Sequence, residues 1–547
     1  MNARHLALLG ALALPVPLAA QDPRAEVFAG SEFERYLRYL QLTDSAVSYP
    51  WSIGGFSQGE IDQIWPTHRE HPWAERYDRA RSSRTAWFAP IAPVLSTVGN
   101  TGFAHGSNDG PVWAGRGFTA AVQVGFAARY GPFSLTVAPL AFVAQNADFP
   151  IVSNGLTGDS AFADPQTPYS IDRPQRFGDG SYSVVDPGQT TLRVDAPFLA
   201  AGISTANQRW GPGEQFPILL GPNAAGFPHL FVGTSAPVDL WLFSVHTRIL
   251  WGLLSQSAYS TSPDSTRRFM SGLVGIITPR GVPGLELGGA RFFHTPWPAN
   301  GLTARDFGKP LEGFLKVGAR NDIPGETSED VENQIASAFF RWVFPRGGFE
   351  FYGEYAREDH SWDLRDFLLE PDHASGYLLG LRKVFRGEPT RFLAVRAETV
   401  DLERSTLLHG RSQGPFYIHG YVRQGHTQRG QVLGADVGGD GSGSFLAVDS
   451  YHPGGRVTVS WSRVLRRIRG DYWRSGVLDP KGRDMAHALA GEVLAFRGRF
   501  EVLAHAEGVY EFNRNWAGDA FNLNVALRVR VMFRSDPGHL ATVSRKP

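Results

Sequence analysis

The stretch FNLNVALRVRVMF, residues 521–533, alternates without interruption. Phe521, Leu523, Val525, Leu527, Val529, Val531 and Phe533 share one parity, while Asn522, Asn524, Arg528 and Arg530 share the other. A period of two belongs to a β-strand with two different faces. The fold turns on what the apolar face meets, a second sheet or lipid.

The N-terminus bears on that choice. Arg4 and His5 precede an apolar run at 6–18, followed by Ala19, Ala20, Gln21 and Asp22. Charge, apolar core and small residues in that order form a secretory signal, and the run is too short to span a membrane as a helix. Residues 1–20 are expected to be a cleaved signal peptide, with the mature chain starting near Gln21. No later window approaches 18 uninterrupted apolar residues, leaving a soluble exported protein or an outer-membrane barrel.

Composition favours short turns and strands. The 547 residues include 62 Gly, 37 Pro, 37 Phe, 16 Tyr and 14 Trp, a mixture of turn formers and strand formers. With no Cys there are no disulfides, thiolate metal sites or lipidated N-terminal cysteine. Basic and acidic residues balance at 53 each, against a nucleic-acid binder with a basic face. Of the basic residues only Lys309, Lys316, Lys383, Lys481 and Lys546 are lysines. Guanidinium forks suit bidentate pairing in confined polar spaces, and a GC-rich genome produces the same bias.

Along the chain, residues 28–80 have a helical period. Ser31 and Glu34 have capping-box spacing ahead of Phe33, Leu37 and Leu40, and SQGEIDQI (57–64) and WAERYDRA (73–80) are two further short helices. Past residue 85 the period becomes two. RGFTAAVQVGFAAR (116–129) and FSLTVAPLAFVAQN (133–146) form a hairpin in which Pro139 marks a bulge. Other hairpins are expected at 268–293, 335–356, 375–400, 443–464 and 485–512, turning at RGVP, PRGG, RGEP, YHPGG and RGR. The long polar segments between them are 147–192, 294–334, 357–374, 401–442 and 465–484.

Short turns at one end and long loops at the other are the asymmetry of bacterial outer-membrane barrels. Strands of 10 to 14 residues cross a bilayer, whereas sandwich strands average about five or six. Charges on the second parity, Arg396, Glu398, Glu350 and Glu354, point the same way. The expected fold is all-β: a single-chain antiparallel outer-membrane β-barrel of about 16 to 18 strands over 85–534, with a small N-terminal helical unit at 21–84 and a tail at 535–547. The turn pattern places both termini in the periplasm.

Three stretches invite a catalytic or metal reading. GADVGGDGSG (434–443) lacks the Lys-Ser/Thr and helix of a phosphate loop. REDHSWDLRDF (357–367) gathers Glu358, Asp359, His360, Asp363 and Asp366, a solvated charged loop by default and a saccharide or calcium contact otherwise. Ser460 and Ser462 face inward by parity, as does His505, but no GxSxG elbow occurs. No catalytic residue, metal site or cofactor is expected.

The least generic segment is NQRWGPGEQFPILLGPNAAGFPHL, 207–230. With Arg209 before Trp210, Gly211, Pro212 and Gly213, and Asn223 after a Leu-Leu pair, it resembles the signature of the Wzi family of capsule-assembly outer-membrane proteins. AFVAQN, ENQIASAFFRW with GGFEFYGEYAREDH, HTQRGQVLGADVG and HALAGEVLAFRGRFEVLAHAEGVYEFN follow that family in order. The resemblance implies an 18-strand barrel with a helical plug at its periplasmic side, acting as a lectin for capsular or extracellular polysaccharide. Its partners would be that polysaccharide, outer-membrane lipid and the polysaccharide export machinery, with no nucleic acid. Parity puts the WGPG segment on the periplasmic or lumen side, where Trp210 braces the plug.

Sugar recognition needs aromatic platforms and fixed polar groups. The expected outer loops supply Trp362, Asp363 and Arg365; Asp471, Tyr472, Trp473 and Arg474; and Arg514, Trp516 and Asp519. The same Trp and Tyr residues also suit an interfacial girdle. A diffusion porin and an outer-membrane hydrolase are the competing readings.

Overall fold

The computed structural model describes residues 27–77, 86–262, 267–312, 332–358, 364–405, 414–468 and 482–532. The signal region, Phe533 and the tail lie outside the described residues. Twenty-one hydrogen-bonded strand segments form one sheet, and three wall strands are broken in two, giving a closed antiparallel barrel of 18 strands. Closure is made by the alternating C-terminal stretch. Gly518–Val531 pairs with Ala86–Asn100, from Asn524 opposite Asn100 to Arg530 opposite Val94.

Parity along that strand sorts as the alternation demands. Phe521, Leu523, Val525 and Leu527 are exposed, whereas Asn522 and Asn524 are buried and each donates to Asn100 Oδ1 at 2.9 Å. Leu379, Leu381, Leu393, Leu446, Val457 and Val459 repeat the exposed apolar face on other strands. A barrel that turns such a band outward has lipid as its outer solvent. The expected hairpins form, with strands of up to 15 residues such as Phe500–Arg514. Pro139 separates Phe133–Val137 from Leu140–Ala144, the break its missing N–H requires.

Two expected loops prove to be something else. Segment 147–192 was expected to be a polar loop, yet it ends in wall strands Tyr182–Asp186 and Thr191–Asp195. Of segment 401–442, grouped with the outer loops, residues 414–441 instead fold into the lumen, where Tyr417, Val432, Leu433 and Val437 join the main buried cluster. Residues this apolar have nowhere else to go in a barrel whose outside is already apolar.

The wall is also incomplete along one side. Ala200–Ser204 and His229–Gly233 are five residues each, because the chain leaves the wall after Ser204, crosses the lumen and returns at His229. Among the described residues Tyr182–Asp186 therefore pairs only with Leu140–Ala144. Arg429 bridges the space that two full strands would occupy. Its N–H donates to Ser255 O at 2.8 Å on one edge and its guanidinium meets Asp186 at 2.6 Å on the other. Gln428 adds its Oε1 to the Ser255 N–H at 2.8 Å.

The helical unit fills the short-turn end of the lumen. Helix α1 is Glu32–Leu42, α2 Gln58–Ile64 and α3 Ala74–Tyr77. Trp73 Nε1 donates to His452 O at 3.2 Å, and Arg76 Nη1 to Gly498 O at 3.2 Å, both carbonyls belonging to tight turns. Tyr36 stacks on Trp73 at 4.1 Å, and Tyr451 of the wall stacks on Phe392 beside them. Ser57 and Glu60 form a full capping box on α2, at 3.2 and 2.8 Å. Glu60 also meets wall His246 at 3.1 Å. Burial alone would raise its carboxyl, but the hydrogen bond to His246 and nearby Arg193 hold it far below the usual range. Ser57→Ala is expected to cost about 1 kcal/mol, read as a lower urea midpoint.

Candidate functional site

Two constructions follow from this fold, an ion-paired interior and an open face at the long-loop end. In the interior, α1 presents Glu32 and Arg38 toward inward-facing wall residues and Glu34 and Arg35 toward the segment around Trp210. Glu350 takes Arg38 Nε at 2.9 Å and Arg341 Nε at 3.1 Å, and Arg341 also pairs with Glu286. Asp449 takes Arg396 at 3.0 Å and Arg456 at 3.2 Å, and Arg456 reaches Glu32 at 2.8 Å. These charges stay ionised off water only because each has several opposed partners. The arginine-rich composition has a structural use here, since one planar fork serves two carboxylates.

The WGPG segment joins the belt to the barrel. Arg209 pairs with Glu34 of α1 at 2.8 Å, Gly211 N–H donates to Ser52 O at 2.9 Å, and Arg38 donates to Pro212 O at 3.0 Å. Gly211 has φ +95°, a conformation that strains any residue with a Cβ, and a Cβ there would also push Glu354 Oε2 aside from 2.5 Å. Trp210 is fully buried, bridged by backbone to Ile53 and Leu220. Glu214, next after the motif, meets Arg35 at 2.6 Å, Arg396 at 3.1 Å and Arg382. Burial would raise its carboxyl, yet Arg382, Arg35 and Arg396 hold it well below the usual range. Asn223 closes the segment by donating to Val432 O at 2.8 Å.

At the other end a depression of about 820 Å3 opens among the long loops, lined by Arg116, Asp148, Phe149, Arg176 and Asp179. Arg176 pairs with both Asp148 and Asp179, and its guanidinium lies 5.1 Å from the Phe162 ring and 5.8 Å from Phe149. The carboxylates of Asp148 and Asp179 thus face solvent, with Arg176 and the rings of Phe149 and Phe162 buried beneath them.

A family model described as capsule assembly protein Wzi matches residues 94–505. The chain belongs to the Wzi family. Among solved structures it is similar to Wzi, an outer-membrane protein involved in group 1 capsule assembly in Escherichia coli and a carbohydrate-binding β-barrel. That match has a TM-score of 0.61 at 13% identity, covering 92% of this chain and 98% of that one. Pseudomonas aeruginosa OpdQ is matched at TM-score 0.37 and 9% identity, over 80% of this chain and 96% of that one. No curated protein gives a significant match.

In this Wzi-family barrel the expected loop residues fall into three groups. Trp362 and Asp363, with Asp471, Tyr472, Trp473 and Arg474, lie outside the described residues. Arg365 is exposed on the short helix Leu364–Leu369. Arg514, Trp516 and Asp519 share one tight turn at the long-loop end. Asp519 is occupied there, accepting from Tyr510 OH at 2.9 Å and Asn513 N–H at 3.1 Å. Arg514 lies 4.3 Å from the Phe103 ring and 3.3 Å from Glu511.

The catalytic and metal readings find different partners. His505 is held between Glu492 at 3.7 Å and Glu507 at 3.8 Å, with neither Ser460 nor Ser462 bonded to it. Among the described residues no group of His, Asp and Glu is placed to hold a metal ion. Glu358, expected in a solvated loop, is buried and accepts from Asn333 Nδ2 at 3.0 Å and Tyr417 N–H at 2.6 Å. Sequence reading missed Phe149 and Arg176, because an aperiodic loop carries no signal for what folds beside what.

Proposed function

We propose that this protein binds exported capsular or extracellular polysaccharide at its long-loop face and helps to order it at the cell surface, as a binding barrel without catalysis. The observation that carries this is the filled lumen. Helices, the WGPG segment and residues 414–441 occupy the interior through buried ion pairs, so the working surface is the face where the loops gather. The carbohydrate-binding Escherichia coli barrel of the same family supports the reading. The helical unit then lies on the periplasmic side, toward the export machinery, and the loop residues around Trp362, Arg365, Trp473, Arg514 and Trp516 rim the glycan site.

The test uses detergent-folded protein on an array of bacterial polysaccharides, together with conductance in planar bilayers. Retention of at least one polysaccharide, weakened in Trp473→Ala or Trp362→Ala, with a closed or nearly closed pore, is the expected result. Steady porin-size conductance with no polysaccharide retained would overturn it.

A further inference from the structure

Below the open depression lies a second, smaller cavity of about 220 Å3, and Phe149 and Ile151 line both. Its volume is that of about seven liquid waters, room for one pyranose ring. We propose that this cavity is a subsite for a single neutral or amino sugar, a chain end or branch of the polysaccharide lying across the depression above. The proposal rests on the glycan-binding reading and adds what that reading leaves open, which sugar is read and by which side chains.

The walls divide by chemistry. Phe103 and Phe149 present rings suited to the C–H face of a sugar, and Asp109, Asp436, Asp484 and Glu511 bring carboxyl groups. The cations beside them are already engaged. Arg173 pairs with Asp164 at 3.0 Å, Arg514 with Glu511 at 3.3 Å, and Arg466 lies 4.0 Å from the same Glu511. His105 is 2.9 Å from Glu507. Asp484 is 2% exposed; its carboxyl adjoins that of Glu511, its Oδ2 accepts from Asn515 N–H at 2.9 Å, and no donor reaches its Oδ1. A buried oxygen left without a donor is costly, and a cavity against it supplies the place for one.

The cavity therefore has a buried acceptor to spare, and each cation lining it already lies within 4.0 Å of a carboxylate. Hydroxyl, amino or acetamido N–H groups satisfy such a site, while a uronate would set a carboxylate against carboxyls and be rejected. Selectivity follows from the charge already in the wall.

Saturation-transfer NMR on the detergent-folded barrel tests this with glucose, galactose, N-acetylglucosamine, glucosamine and glucuronate as probes. At least one neutral or amino sugar is expected to bind, with glucuronate weaker by about tenfold or more. Asp484→Ala is expected to lose about tenfold for the preferred sugar, and Arg391→Ala, in an exposed short turn at the opposite end of the barrel, to leave it unchanged. Should Asp484→Ala not fold, Asp109→Asn in the adjoining segment serves instead. Equal or tighter binding of glucuronate, or full binding by the folded variants, overturns the subsite. If polysaccharides are still retained on the array in that event, the glycan-binding reading stands and only the subsite falls; if none is retained by the wild type, both fall.

Discussion

Glu214→Ala is expected to destabilise the folded barrel by about 3–5 kcal/mol. The carboxylate at 214 stands among Arg35 of α1 and Arg382 and Arg396 of the wall. Deleting it leaves three guanidinium groups off water, with their remaining acids shared among other arginines. The helical unit should then separate from the wall before the barrel itself opens. Urea titration followed by tryptophan fluorescence should show a lower midpoint, and the loss of the plug should appear as raised conductance in a bilayer. An unchanged midpoint would mean that the other carboxylates redistribute to hold the belt.

The same group sets a pH dependence. Its folded pKa is depressed, so its contribution is fully present above the unfolded value of about 4.3 and is lost as pH falls toward the folded one. His426 acts in the same direction at milder acidity. It is buried against Leu219 O at 2.6 Å and pushed down to about 4 by burial. The unfolded chain takes up a proton there below about 6.5 while the folded one does not, so stability declines from pH 6.5 downward. Unfolding midpoints between pH 7.5 and 4.5 should fall steadily, and His426→Gln should flatten the upper part of that decline.

The barrel was legible in the sequence because a period of two survives over long strands. Residues 485–512 and 521–532 alternate for enough positions that lipid and lumen faces sort by parity. The cap at Ser31, whose Oγ accepts from Glu34 N–H at 3.2 Å, was equally plain, since capping is local chemistry; the box at Ser57 and Glu60 went unread. Tyr182–Asp186 and Thr191–Asp195 were not, because five residues give too few alternations to tell a wall strand from a loop. The inward fold of 414–441 was hidden for a different reason. Its apolar residues follow no period, and only the closed wall leaves them the lumen as a destination.

The signature segment shows how far parity and motif reach. Tight packing around Trp210 could be expected from WGPG, and so could its position away from the outer loops. What could not be read was that Arg209 finds Glu34 and that Glu214 finds three arginines. Parity says which wall residues point inward; the partner of each is set by barrel register and by how the plug is seated. The glycan site is less legible still. Depression and cavity are assembled from 101–116, 147–179 and the 511–515 turn, segments that meet only in three dimensions.

The last strand carries the other large prediction. Leu527 is 44% exposed on the outer face, opposite Thr97, and Arg528 is its neighbour on the inner face. An arginine in the middle of the lipid face costs roughly 2–4 kcal/mol, so Leu527→Arg should strongly reduce the yield of folded barrel. Arg528→Leu reverses the chemistry one position on. Arg528 lines a luminal cavity of about 280 Å3 with Arg530 and Glu501, and its loss removes a charge from water-filled space beside Asp109 without touching lipid. That variant should fold in near-normal yield. Folding is read from the heat-modifiable mobility of the barrel on gels after refolding into lipid. Because this strand also closes the barrel against Ala86–Asn100, a failure confined to Leu527→Arg ties the defect to the lipid face. Equal yields would mean that the strand's faces are assigned the wrong way round.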